Sequence, residues 1–144
     1  MQVANTTAEK LNGLLRDENS AVETYRQALE KIESAGIRAD LEKCQSCHAS
    51  RAAALSSQIA GMGVEPAKDS GVWGAFAKLM QEGAKLFGDK AGVAVLEEGE
   101  DHALRDYRKL VEEPDEVIQS TLRELLPKQE GTHEIMATLK HSLN

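Results

Sequence analysis

Six side chains in this sequence are of the kinds that hold metal ions or move protons: Glu18, His48, Glu97, Glu100, Glu130 and His133. Mixed carboxylate and imidazole donors suit iron, manganese or zinc. Glu130 and His133 stand three residues apart, which on a helix puts an oxygen and a nitrogen on one face. Two such Glu-x-x-His pairs with two single glutamates form the dinuclear iron centres of helical bundles. The second pair would come from the segment holding His48, where Gln45 takes the place of the glutamate. A mononuclear or dinuclear Fe site is therefore the expectation, with Zn or Mn as alternatives. Fe(II) bound there would be oxidised by oxygen or peroxide. The competing reading is a metal-free network in which the same glutamates and histidines satisfy one another, as buried polar groups usually do. Tyr25 and Tyr107 lie two helical turns beyond Glu18 and Glu100, within reach of carboxylates.

A second motif is Cys44-Gln45-Ser46-Cys47-His48, the C-x-x-C-H string of c-type haem attachment. It falls in the middle of a helical pattern, which spreads its three side chains around the axis. The N-terminal stretch MQVANTTAEKLNGLL lacks a basic region followed by a continuous apolar run, so export is not expected. Two reduced thiols in a cytoplasmic protein are the plainer reading. His102 falls roughly 160° from Glu100 around a helix and should face away from the seam. His141 is expected in solvent. The sequence contains no Gly-x-Ser-x-Gly elbow or phosphate loop, which leaves hydrolase and kinase chemistry without support.

These residues need long helices to position them. The 144 residues fit one domain spanning 1–144, with 41% hydrophobic but only 3% aromatic residues. The aliphatic bias, with only three prolines, favours helix over strand. A first helix is expected over residues 6–34, started by a Thr6/Glu9 capping box and stopped near Gly36. Its stripe is Leu11, Leu15, Val22, Tyr25, Leu29 and Ile32, with Glu18 at its centre. A second over 38–60 carries Leu41, Cys44, His48, Ala52, Leu55 and Ile59 on one face. After a loop, a short amphipathic helix is expected over 72–87. If exposed, its Trp73 and Phe76 would form an interaction surface. A third long helix, 89–112, carries Val93, Glu97, Glu100, Leu104, Tyr107 and Val111 on its seam. A fourth starts at Pro114 and presents Ile118, Leu122, Leu125, Gln129, His133 and Met136. Pro127 should kink it, making the later register uncertain by a residue. The polar residues fall near the middle of each long helix. In an antiparallel bundle they should meet at one level, as a cluster inside an apolar core.

The segments LNGLLRDENSAVETYRQALEKI, SGVWGAFAKLM, VLEEGEDHALRDYRKLV and LLPKQEGTH resemble a bacterial ferritin-like family described as a domain of unknown function. The resemblance covers nearly the whole chain. It implies an all-α fold, a ferritin-like four-helix bundle with an extra short helix in the B–C crossover, and no established activity. More distantly, Glu18 with Tyr25, and Glu130 with His133, fall where bacterioferritin-type bundles carry metal residues. Glu97 or Glu100 takes the third-helix position, and Gln45 or Cys44 stands where the second helix would carry glutamate.

A net charge of −7 without a basic stripe argues against nucleic-acid partners and favours attraction of cations. No apolar run is long enough to span a bilayer. The expectation is a cytoplasmic, ferritin-like metal-binding protein in iron handling or stress response, with a homodimer as the default assembly. The alternative is a metal-free helical interaction or stress protein with a polar core.

Overall fold

The computed structural model describes residues 2–83 and 88–143, with side chains from Thr6 onward. The described residues form five helices and no strand. They are α1 (Gln2–Leu29), α2 (Ala35–Gly61), α3 (Gly74–Glu82), α4 (Asp89–Leu110) and α5 (Glu116–Ser142). Among the described residues no helix is long and apolar enough to cross a membrane.

Four helix starts differ from the sequence-based expectation: α3 begins at Gly74 rather than at 72, and α1, α2 and α5 differ for local reasons. Thr6 lies inside α1, which begins at Gln2, so Thr6 and Glu9 form no capping box at its start. Gly36 opens α2 instead of stopping α1. Ser34 is the N-cap of α2, its side chain accepting from the Ile37 amide. Pro114 precedes α5, and Asp115 caps it by accepting from the amides of Val117 and Ile118. Pro127 stands within α5, which continues through it as one helix. The short helix ends at Glu82, and the expected extension over 84–87 lies outside the described residues.

Side-chain contacts define how the helices run. Glu18 meets His48 while Gln45 bonds the Val22 carbonyl, so α1 and α2 are antiparallel. Tyr25 meets Glu100 and Tyr107 meets Glu18, so α1 and α4 are antiparallel. Gln58 with Thr121, and Arg51 with Gln129, set α2 against α5 in the same sense. Glu100 with Gln129, and Glu97 with Lys140, do so for α4 and α5. The chain therefore crosses the length of the molecule between α2 and α4. Three polar side chains of α1 lay that crossover down. Asn12 donates to the Glu65 carbonyl and accepts from the Ala67 amide, Asn19 donates to the Ala67 carbonyl, and Thr24 accepts from the Trp73 amide.

Each end is tied by an aspartate. The Asp89 carboxylate accepts from the amides of Glu33 and Ser34 in the α1–α2 turn, and Asp115 accepts from the Thr7 hydroxyl. Between the ends lie two apolar clusters. One gathers Leu11, Leu15, Leu55, Ile59, Ile118 and Leu122, with Tyr107. The other gathers Ile32, Leu41, Phe76, Val93, Leu96 and Met136, with Tyr25. Phe76 of α3 is buried and Trp73, just before it, is half-buried, so the exposure on which an interaction surface there depends is not met.

A buried polar centre

Between the two apolar clusters the four long helices turn polar side chains toward one point. From α1 comes Glu18, from α2 His48 and Arg51, from α4 Glu100, and from α5 Gln129 and Thr132; all are buried. His48 lies at the middle. Its Nδ1 is 2.5 Å from Glu18 Oε1 and its Nε2 is 2.6 Å from Glu100 Oε2. The imidazole thus spans the gap between two carboxylates, one at each ring nitrogen. Both nitrogens donate when the ring is protonated. Burial alone would lower the His48 pKa, but the charges of Glu100 and Glu18 outweigh it and raise the pKa above its usual 6.5. Burial opposes ionisation of Glu100 as well. The His48 charge, with hydrogen bonds from His48, Tyr25 and Thr132, nonetheless holds its pKa below the usual 4.5.

The remaining lone pairs are taken in turn. Tyr25 donates to Glu100 Oε2 at 2.6 Å, and Tyr107 donates to Glu18 Oε2. Both phenols are held above their usual pKa, first by burial and then by the neighbouring carboxylate. Glu100 Oε1 accepts from Gln129 Nε2 at 2.9 Å and from the Thr132 hydroxyl at 2.8 Å. Arg51 Nη1 donates to Gln129 Oε1 at 2.7 Å and Nη2 to the Thr132 hydroxyl at 3.1 Å. Its Nε is 3.3 Å from Glu18 Oε2, an ion-pair contact without hydrogen-bond alignment. Arg51 Nη2 also lies 2.7 Å from His48 Nδ1, which packs the guanidinium against the imidazole. Two carboxylates therefore face two cations, and the centre is balanced without an added ion.

The six residues singled out in the sequence do not all meet here. Glu18, His48 and Glu100 do. Glu97 and His133 face a different side, where they meet Asp101: His133 Nε2 is 2.6 Å from Asp101 Oδ1 and 3.8 Å from Glu97 Oε2. Glu130 is exposed and pairs with Arg108 at 3.6 Å. The single cluster expected at mid-bundle is thus two clusters, because α5 turns Thr132 rather than His133 inward. Gln45 bonds backbone and stays outside the centre. Sequence reading placed Gln129 on the seam but passed over Arg51 and Thr132.

The C-x-x-C-H string is not arranged for haem. Cys44 is buried, Cys47 is half-buried, and both His48 nitrogens are engaged by carboxylates. Burial and then the Glu100 charge push the Cys44 thiol up to about 12, which leaves it protonated and inert.

Trp73 closes one flank. Its ring packs edge-on to His48 and Tyr25, with centroids 5.9 and 5.8 Å away. Gly99 makes room for it: a Cβ there would lie 1.9 Å from the indole. Outside Trp73 a cleft of about 470 Å³ opens between α1, α3 and α4. Asp17, Lys78, Glu98, exposed His102 and Asp106 line it. Burial and the hydrogen-bonded Asp106 push the Asp17 carboxyl up to about 7.

A family model described as a domain of unknown function, DUF2383, matches residues 6–113. The chain belongs to that family. The match takes in α1 from Thr6 onward, with α2 to α4, and ends before α5. Among curated proteins none matches the chain.

Proposed function

We propose that this DUF2383 member is a ferritin-like four-helix bundle whose centre is a closed, metal-free polar network, and that it works as an interaction protein through its outer surface. The layout supports the ferritin-like reading. Single glutamates come from α1 and α4, and pairs of polar residues three apart come from α2 (His48, Arg51) and α5 (Gln129, Thr132). Dinuclear carboxylate centres have that layout, with Glu-x-x-His in both paired positions. Here neither pair is Glu-x-x-His, and one member is an arginine. The crossover between α2 and α4, carrying α3, agrees with such a topology.

One observation carries the metal-free reading. His48 stands between Glu18 and Glu100, with a different ring nitrogen toward each. An ion bound by both carboxylates and the imidazole would need all three donors turned toward one point. The Arg51 guanidinium supplies the positive charge that an ion would bring. With the centre closed, the cleft beside Trp73 is a concave surface that stays open for binding.

Anaerobic loading with Fe(II), desalting and elemental analysis tests this reading. Wild-type protein should retain no iron that depends on Glu18. One iron or more per chain, lost in Glu18→Gln and accompanied by oxygen consumption in wild type, would overturn it in favour of iron handling.

A further inference from the structure

We infer that Glu97, Asp101 and His133 form a surface binding site for one zinc ion, independent of the core. Among the described residues this is the one grouping of three or more histidine, cysteine or acidic side chains with donor atoms close enough to share an ion, all within 4.8 Å of one another. Glu97 and Asp101 lie four apart on α4, so both carboxylates rise from the same helical face. His133 comes from the facing side of α5. Two rigid helices therefore set the donors, with no loop involved.

The spacing fits zinc. A tetrahedral zinc with bonds of about 2.0–2.1 Å keeps neighbouring donor atoms about 3.3 Å apart. His133 Nε2 stands 2.6 Å from Asp101 Oδ1 and 3.8 Å from Glu97 Oε2, distances that bracket that value. Two oxygens and one imidazole nitrogen form a borderline donor set suited to zinc. Three protein donors leave a fourth position for water or a ligand.

The side chains of Glu97 and His133 are only 14% and 22% exposed, so both donors are already largely stripped of water. The cluster carries two carboxylates against one imidazole. Lys140 contacts Glu97, but at Oε1, 3.3 Å away, leaving Oε2 toward His133. The His133–Asp101 pair that zinc would replace is exposed on the Asp101 side, and exposed pairs contribute little.

The test is calorimetric titration of the EDTA-treated, dialysed full chain with zinc chloride, backed by the visible spectrum of the cobalt(II) form. One saturable zinc per chain is expected, with the intense absorption of tetrahedral cobalt. His133→Ala and Asp101→Asn should each weaken binding by at least about tenfold, the scale on which even indirect ligand contacts act. Lys140→Met should leave binding intact or tighten it. Glu18→Gln should not change it, which separates this site from the core. Thermal unfolding of each variant without metal checks that it is folded. Absence of saturable binding in wild type, or binding that survives in folded His133→Ala and Asp101→Asn, would overturn the proposal. Binding lost only in Glu18→Gln would overturn it too, and with it the metal-free reading of the core.

Discussion

Removing the Arg51 guanidinium should be among the most damaging single changes available to this protein. In Arg51→Met the aliphatic volume is largely kept, but Glu18 and Glu100 are left with one imidazolium between them. The apolar interior then holds one uncompensated negative charge, and Gln129 Oε1 loses its donor. Breaking a buried ion pair from one side costs roughly 3–5 kcal/mol. An orphaned buried acceptor adds about 1 kcal/mol. A domain of this size has only about 5–15 kcal/mol to lose. At roughly 2–4 °C per kcal/mol, the melting temperature should fall by about 10–20 °C. The double variant Glu18→Gln/Arg51→Met removes one charge of each sign and leaves Glu100 paired with His48. It should be less destabilised than the sum of the single variants by about 2 kcal/mol or more. Urea unfolding followed by far-ultraviolet circular dichroism, in EDTA, measures all four proteins. An Arg51→Met variant within about 1 kcal/mol of wild type, or strictly additive single effects, would refute the charge-balance argument.

Stability should fall as pH rises from about 5 to 8. The folded state holds the Asp17 proton to about 7 against 3.8, so that contribution is full below 3.8 and is lost on the way up. His48, raised above 6.5, contributes fully below 6.5 and loses its part as pH passes through its folded value. Glu100, held below 4.5, acts oppositely, contributing above 4.5 and failing as acid protonates it. Urea midpoints across this range should show the fall, and Asp17→Asn should flatten it below neutrality; a flat or rising wild-type profile contradicts both assignments. Gly99→Ala should cost about 1–3 kcal/mol by driving its Cβ into Trp73, with a red shift of tryptophan emission, and unchanged emission would count against that packing. In native protein Cys44 should resist a thiol reagent that denatured protein consumes fully, since its thiol is pushed up to about 12; prompt modification of both cysteines would contradict its burial.

Much of this architecture is legible from apolar spacing, and so is the larger part of the polar centre, with Gln129 on the α5 stripe. The long helices and the mid-level position of Glu18, His48 and Glu100 follow from stripes of three and four residues. The errors are one-residue slips along the stripe, Ala52 for Arg51, His133 for Thr132 and Glu97 for Leu96. On α2 the alternation Leu41, Cys44, His48, Arg51, Leu55 is strict, and it passes through an arginine. Ala52 looked the better core residue, but it stands one position off that frame. On α5 the frame Leu122, Leu125, Gln129, Thr132, Met136 passes through a threonine, while the eye goes to His133. On α4 it runs Val93, Leu96, Glu100, Leu104, Tyr107 and leaves Glu97 to one side. Spacing was thus a better guide than residue type, because a buried charge can be balanced by a partner on another helix, which one stripe does not display. The capping errors are of another kind. Ser34 and Asp115 are identical in sequence whether they cap or not, and only the path of the preceding turn decides.

The distribution of charges between the two halves of the chain has a consequence for how the protein is made. The first hairpin contributes Glu18, His48 and Arg51, with one excess positive charge when His48 is protonated; the second contributes Glu100, with one negative. With His48 protonated, neither hairpin can dry its own centre, because each would enclose an unmatched charge. The amide and hydroxyl that complete the network, Gln129 and Thr132, come from α5, which follows the other four helices in chain order. During synthesis the α1–α2 pair must therefore keep water at its centre and wait. Docking of the two halves is at once the step that neutralises the charge and the step that expels the water, so the dry core forms only once α5 has been made.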